Sequence, residues 1–60
     1  MEKKAYSIPD FLEAYSLSRS TLYRLWQENR GPHTLRVGRK VLIPVEAAQE
    51  WVRAMEAEAA

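Results

Sequence analysis

Ser16-Leu-Ser-Arg-Ser-Thr-Leu-Tyr-Arg-Leu-Trp-Gln-Glu-Asn29 is the stretch on which the fold turns. Ser16-Leu17-Ser18 interrupts the apolar spacing before it, and Ser18 is a good N-cap for a helix that starts at Arg19. That helix is predicted to run to about Asn29, stopping before Gly31-Pro32. Stepping about 100° per residue from Leu22 puts Leu25, Trp26 and Asn29 within about 60° of it, which makes this the inward face. Ser20, Tyr23, Arg24 and Gln27 lie opposite, a face of polar side chains with donors and no acid.

Upstream, Tyr6-Ser-Ile-Pro-Asp10 reads as another helix start. Ser7 caps it, Pro9 sits in the first turn where its missing N–H does no harm, and Asp10 falls three residues after the cap. Phe11, Leu12 and Tyr15 then fit one short helix to about Tyr15, too short to stand without packing on something else.

Downstream, Gly31-Pro32-His33-Thr34 reads as a loop. Leu35-Arg-Val37 and Val41-Leu-Ile43 are two short β-type runs around Gly38-Arg39-Lys40, a hairpin with a basic tip in which Gly38 supplies the backbone freedom of a tight turn. Alternation predicts Leu35 and Val37 inward and Arg36 outward. Pro44 introduces a last helix, about Val45 to Glu58, with Ala48, Trp51, Val52 and Met55 as its apolar stripe and Glu46, Glu50 and Glu56 on the other face.

The expected architecture is α+β, in the order α-α-β-β-α, a winged helix-turn-helix occupying residues 1–60 as one domain and ordered over about 6–56. Its predicted core holds Phe11, Leu17, Leu22, Trp26, Leu35, Val37, Val41, Ile43, Ala48, Trp51 and Val52. The initial Met1 and a tail expected to fray point to a complete small gene product.

Bulk properties narrow the chemistry. With 60 residues and no cysteine the fold must hold by packing alone, without disulfides or thiolate metal sites. One histidine, His33, is too few for a structural zinc, so no metal and no cofactor are expected. No run approaches the roughly 20 apolar residues of a membrane span, and Met1-Glu-Lys-Lys-Ala5 lacks the apolar stretch of a secretory signal, so a cytoplasmic protein is expected. Glu13, Glu28 and Glu50 make no convincing acid/base pair, no nucleophile has a base partner, and a substrate cavity is not expected at this size. The reading is therefore not an enzyme, with no small-molecule substrate.

The net charge of +1 hides an asymmetry. Between residues 19 and 40, Arg19, Arg24, Arg30, Arg36, Arg39 and Lys40 stand against Glu28 alone, whereas residues 41–60 hold Glu46, Glu50, Glu56 and Glu58 against Arg53. A basic middle of this kind marks one face for an anionic partner. Two short helices with a basic, polar outer face on the second are the parts of a helix-turn-helix. A major groove about 12 Å wide admits one helix, and Arg, Gln, Asn, Ser and Thr read base edges there. A hairpin carrying Arg39 and Lys40 would then reach the adjacent minor groove or backbone.

Ser18-Arg-Ser-Thr-Leu-Tyr-Arg24, Gly31-Pro32, Leu35-Arg-Val-Gly-Arg-Lys40, Ile43-Pro44 and Trp51-Val52 together resemble the excisionase/AlpA-type helix-turn-helix proteins, small winged domains related to the DNA-binding part of MerR regulators. The resemblance covers about residues 6–53. It implies double-stranded DNA as the partner, and a role as a transcriptional regulator or as a recombination directionality factor (excisionase) of a mobile element. An integrase, or neighbouring copies on DNA, would be further partners. It places Ser18, Arg19, Ser20, Thr21, Tyr23 and Arg24 at or near the groove and makes Arg39 and Lys40 the wing contacts. Members usually carry Gly where Ser16 stands, a departure from the pattern that bears on the geometry of this turn, since Ser takes a left-handed conformation only at some cost.

Arg24, mid-helix and outward, is a candidate for guanine or phosphate, and Arg19 at the helix start for phosphate. Gln27 is a candidate for adenine, and Arg36 and Arg30 for flanking phosphates. His33 is read as a loop residue without chemistry, and Trp26 and Trp51 as core. The alternative function is a protein–protein interaction module on a winged-helix scaffold, with the Glu-rich last helix and Met55 as its docking face.

Overall fold

A computed structural model of the chain describes residues 4–59. Residues 1–3, on which the reading of the N-terminus as no secretory signal falls, and residue 60 lie outside the described residues. The elements are β1 (Ala5–Ser7), α1 (Ile8–Tyr15), α2 (Arg19–Gln27), β2 (Leu35–Val37), β3 (Lys40–Pro44) and α3 (Val45–Ala59). They form an α+β fold of three helices and one antiparallel sheet with strand order β1-β3-β2.

Each short helix begins where a serine offers an oxygen to an orphan backbone amide. Ser7 Oγ accepts from Asp10 N at 3.3 Å and Ser18 Oγ from Thr21 N at 3.2 Å. Each also ends through a residue in the left-handed region. Ser16 (φ 54°) closes α1, with Leu17 N donating to Leu12 O at 2.9 Å and Ser16 N to Glu13 O at 3.3 Å. Asn29 (φ 57°) closes α2, with Arg30 N donating to Leu25 O at 2.8 Å and Asn29 N to Trp26 O at 3.1 Å. Both are Schellman closures. Asn29 is thus the exposed residue that ends α2, not part of its inward face as expected. An asparagine tolerates the left-handed conformation better than most side chains, so the helix stops two residues early.

The expected order lacks one element. Ala5-Tyr6-Ser7 forms β1 by pairing with the far end of β3, Ala5 opposite Pro44 and Ser7 opposite Leu42, and Val45 N donates to Lys4 O at 3.1 Å just beyond. Three residues carry no alternation to detect, so the strand exists only through its partner. At the other edge, Leu35 pairs with Leu42, Arg36 with Val41 and Val37 with Lys40. The turn is Gly38-Arg39 alone; Lys40, expected in the tip, is the first residue of β3. Gly38 has φ +60°, the positive value that lets a two-residue turn follow the strand twist.

Phe11, Leu22, Ile43 and Ala48 are completely buried, with Tyr6, Ile8, Leu12, Tyr15, Leu17, Trp26 and Trp51 packed around them. Tyr6, Phe11, Tyr15 and Trp51 interlock as rings, the closest pair being Phe11 and Tyr15 at 4.8 Å between centroids. Val41 and Val52 are half-buried. Leu35 and Val37 depart from the expected core, at 47% and 54% exposed. Alternation sets one face of the sheet with buried Ile43, and Val41 shares it, so Val41's cross-strand partner Arg36 lies on that side and Leu35 and Val37 on the other. The inward and outward faces of β2 are the reverse of the sequence expectation. The physical reason is position: β2 is the edge strand whose main neighbour is β3, and the helices pack on β3. α3 continues to Ala59, beyond the expected ordered limit. Among the described residues no helix is long and apolar enough to cross a membrane.

Candidate nucleic-acid interface

The start of α2 is a hydroxyl cluster. Ser18 Oγ lies 2.8 Å from Thr21 Oγ1 and 3.3 Å from Ser20 Oγ. The cap and Thr21, which is half-buried, are therefore engaged with each other, whereas Ser20 stands on the exposed surface. Arg19, the first residue of α2, is exposed, and its Nη1 approaches Tyr23 Oη one turn on at 3.5 Å. Tyr23 is 43% exposed, and its ring packs against Trp26 at 5.5 Å. Arg24 and Gln27 are exposed as well. The outward face of α2 thus carries Ser20, Tyr23, Arg24 and Gln27 and no carboxylate, with Arg19 exposed at the start of the helix to one side of it. On the hairpin, Arg36, Arg39 and Lys40 are all exposed.

What joins the two elements is the loop between them, and two indoles hold it. Trp26 Nε1 donates to Pro32 O and Trp51 Nε1 to Arg30 O, both at 2.9 Å. One tryptophan comes from α2 and the other from α3, so the loop is pinned to each. Gly31 sits so close to the Trp26 ring that a Cβ there would stand 2.3 Å from its Cδ1. Pro32 is buried.

Between the pinned loop, α2 and the hairpin lies an open cleft of about 550 Å³. Tyr23 and Trp26 line it from α2, Arg36 and Val41 from the hairpin, and Asn29, His33 and Thr34 from the loop. Of the residues singled out in the sequence, the fold brings Tyr23 and Arg36 together here; the others are not part of this lining. Asn29, His33 and Thr34, which no local pattern marks, line the cleft as well. Only the loop's path puts them opposite Arg36.

On the opposite side of the loop lies a second cleft of about 310 Å³ against α3, bordered by Trp51, Met55, Arg30, Glu50 and Glu58. Arg30 bonds here to Glu58 and, at 3.3 Å, to Glu28. Glu58 above all, and then Glu28, hold its guanidinium more firmly protonated than usual. Arg30 is therefore paired with one carboxylate from α3 and one from the end of α2. The pairs are solvent-exposed and contribute little to stability.

Compared with known protein families, with curated proteins and with solved structures, the chain has no match.

Proposed function

We propose that this chain is a double-stranded DNA-binding module of the winged helix-turn-helix type, with α2 as recognition helix in the major groove and the β2–β3 hairpin as wing. The observation that carries the reading is the acid-free outward face of α2, flanked by a hairpin whose three cations are all exposed. With its side chains an α-helix is about 10–12 Å across, which a major groove about 12 Å wide admits. Arg24 and Gln27 are its base-reading candidates. Arg19 and Arg36 bind phosphate, and Arg39 and Lys40 reach the minor groove or backbone. Ser18 and Thr21 support this face by fixing the start of the helix, with Ser20 and Tyr23 beside them.

A module of this size covers roughly 600–1,000 Å² of DNA contact, so useful affinity calls for neighbouring copies or a DNA-bound partner. The excisionase-like resemblance supplies both possibilities, and with them a role in regulating transcription or in directing recombination.

The test is a titration of isotopically labelled protein with a short generic duplex, first at low salt and then at rising salt. Backbone amide shifts at residues 18–27 and 38–40 that fade with salt are expected. Four cations on phosphate, Arg19, Arg36, Arg39 and Lys40, give a log–log slope of affinity against salt of roughly −3 to −4. Amides that stay still at low salt, or move only along α3, would refute the DNA reading and favour a protein-interaction module.

A further inference from the structure

Two clefts share one loop, with Asn29 and His33 on the lining of both, and they differ in the charged groups around them. On the α3 side the rim carries Glu50 and Glu58, and its one arginine is already paired. On the α2 side the lining holds no carboxylate. Its cation, Arg36, has no carboxylate partner among the described residues, and the loop adds the Asn29 amide, the His33 imidazole and the Thr34 hydroxyl. Tyr23 and Trp26 supply ring faces beside these donors. Donors and rings lining one cleft together with a guanidinium suit an anion carried on a sugar. The far side of the same loop would repel one.

We infer that the α2–hairpin cleft seats the sugar–phosphate backbone of one DNA strand, with Arg36, Asn29, His33 and Thr34 directed to phosphate and Tyr23 and Trp26 to deoxyribose. The inference rests on the DNA reading and adds a requirement to it. A duplex separates its major and minor grooves by a phosphodiester ridge, so a protein with a helix in one and a hairpin in the next must straddle that ridge. The concavity between α2 and the hairpin is the space available for it.

Preorganisation is built in. The loop backbone just before His33 and Thr34 is held at residues 30 and 32 by the hydrogen bonds from Trp51 to Arg30 and from Trp26 to Pro32, so little backbone entropy is lost in ordering it on DNA. Trp51 acts as a positioning residue, holding the loop from the side away from the cleft. Because such contacts go to backbone and not to base edges, they set register and affinity but carry no sequence preference.

The experiment uses the full chain and generic duplexes of two unrelated sequences. Amide shifts should extend past α2 and the turn to residues 29–34, 36 and 41. Arg36→Ala should weaken binding roughly threefold to tenfold on both sequences and make the salt slope shallower by about one. The double variant His33→Ala/Thr34→Val should weaken both alike with little change in slope, since neither removed group carries a fixed charge. All three residues are exposed, so thermal midpoints should stay near that of the parent and separate lost contact from lost fold. Duplex binding that shifts residues 18–27 but leaves 29–34 and the Arg36→Ala slope unchanged would overturn the cleft assignment while the DNA reading stands. A large sequence dependence of the Arg36→Ala effect would overturn it too, by making Arg36 a base reader. Absence of any duplex binding at low salt would remove both.

Discussion

Replacing Gly31 with alanine places a methyl group 2.3 Å from Cδ1, 2.8 Å from Nε1 and 3.2 Å from Cγ of Trp26. Carbon atoms rest at about 3.5–4.0 Å, so the overlap with the ring exceeds about 1 Å and something must move. The indole is restrained on several sides: its Nε1 holds Pro32 O, its ring packs on Tyr23, and its backbone is in α2. If it swings away, the hydrogen bond is lost at about 0.5–1.5 kcal/mol. The repacking of an overfilled site adds about 1–3 kcal/mol. Against this, Gly31 has no positive φ, so alanine fits the backbone there and stiffens the unfolded chain by about 0.4–1 kcal/mol. The net is a destabilisation of about 1–3 kcal/mol, to be read from urea unfolding followed by tryptophan fluorescence. A chain of this size holds roughly 3–9 kcal/mol in all. The midpoint in a thermal scan should fall by about 5–20 °C. Gly38→Ala is the control: nothing lies within 4 Å of its Cβ, and its φ of +60° leaves only backbone strain, about 1 kcal/mol. On a Trp26→Ala background the Gly31→Ala cost should largely vanish, since the two residues share one contact. A Gly31→Ala protein as stable as its parent, or additive with Trp26→Ala, would refute the idea that the indole clamps the loop.

Leu22→Ala should cost about 2–5 kcal/mol in the same assay, because Leu22 is fully buried. Val37→Thr should stay within about 0.5 kcal/mol, because Val37 is 54% exposed; a large loss there would restore it to the core. Ser16→Gly should stabilise the chain by up to about 1 kcal/mol, since Ser16 holds φ 54° at the end of α1. Burial, and then the neighbouring Tyr6, raise the Tyr15 hydroxyl above its ordinary tyrosine value. The fold therefore favours the neutral phenol, and its contribution is complete below the ordinary tyrosine range and lost as pH rises through the raised value. Unfolding midpoints measured up that alkaline range should fall less steeply for Tyr15→Phe than for the parent.

The sequence by itself determined the helices, because what starts and stops them is local. Ser7 and Ser18 each reach an amide three residues on, Pro9 and Ser16 act within the first and last turns of α1, and Leu22 and Phe11 are fixed inward by a period of 3.6 residues. The acid-free face of α2 was legible for the same reason. The tertiary structure alone decided the rest. β1 exists because Ala5 meets Pro44 across most of the chain length, and three residues carry no pattern that announces it. Alternation in Leu35-Arg36-Val37 shows that the strand has two faces, but which one looks inward depends on which edge of the sheet it occupies and where the helices pack. Arg30 counts with the basic middle in the sequence, yet in space it belongs to Glu58 at the end of α3. His33 and Thr34 line one cleft with Arg36 only because Trp26 and Trp51, from two different helices, pin the loop before them. Capping and periodicity act over one or two turns of chain, whereas pairing, facing and cleft formation join residues far apart in sequence, and only the folded chain brings those together.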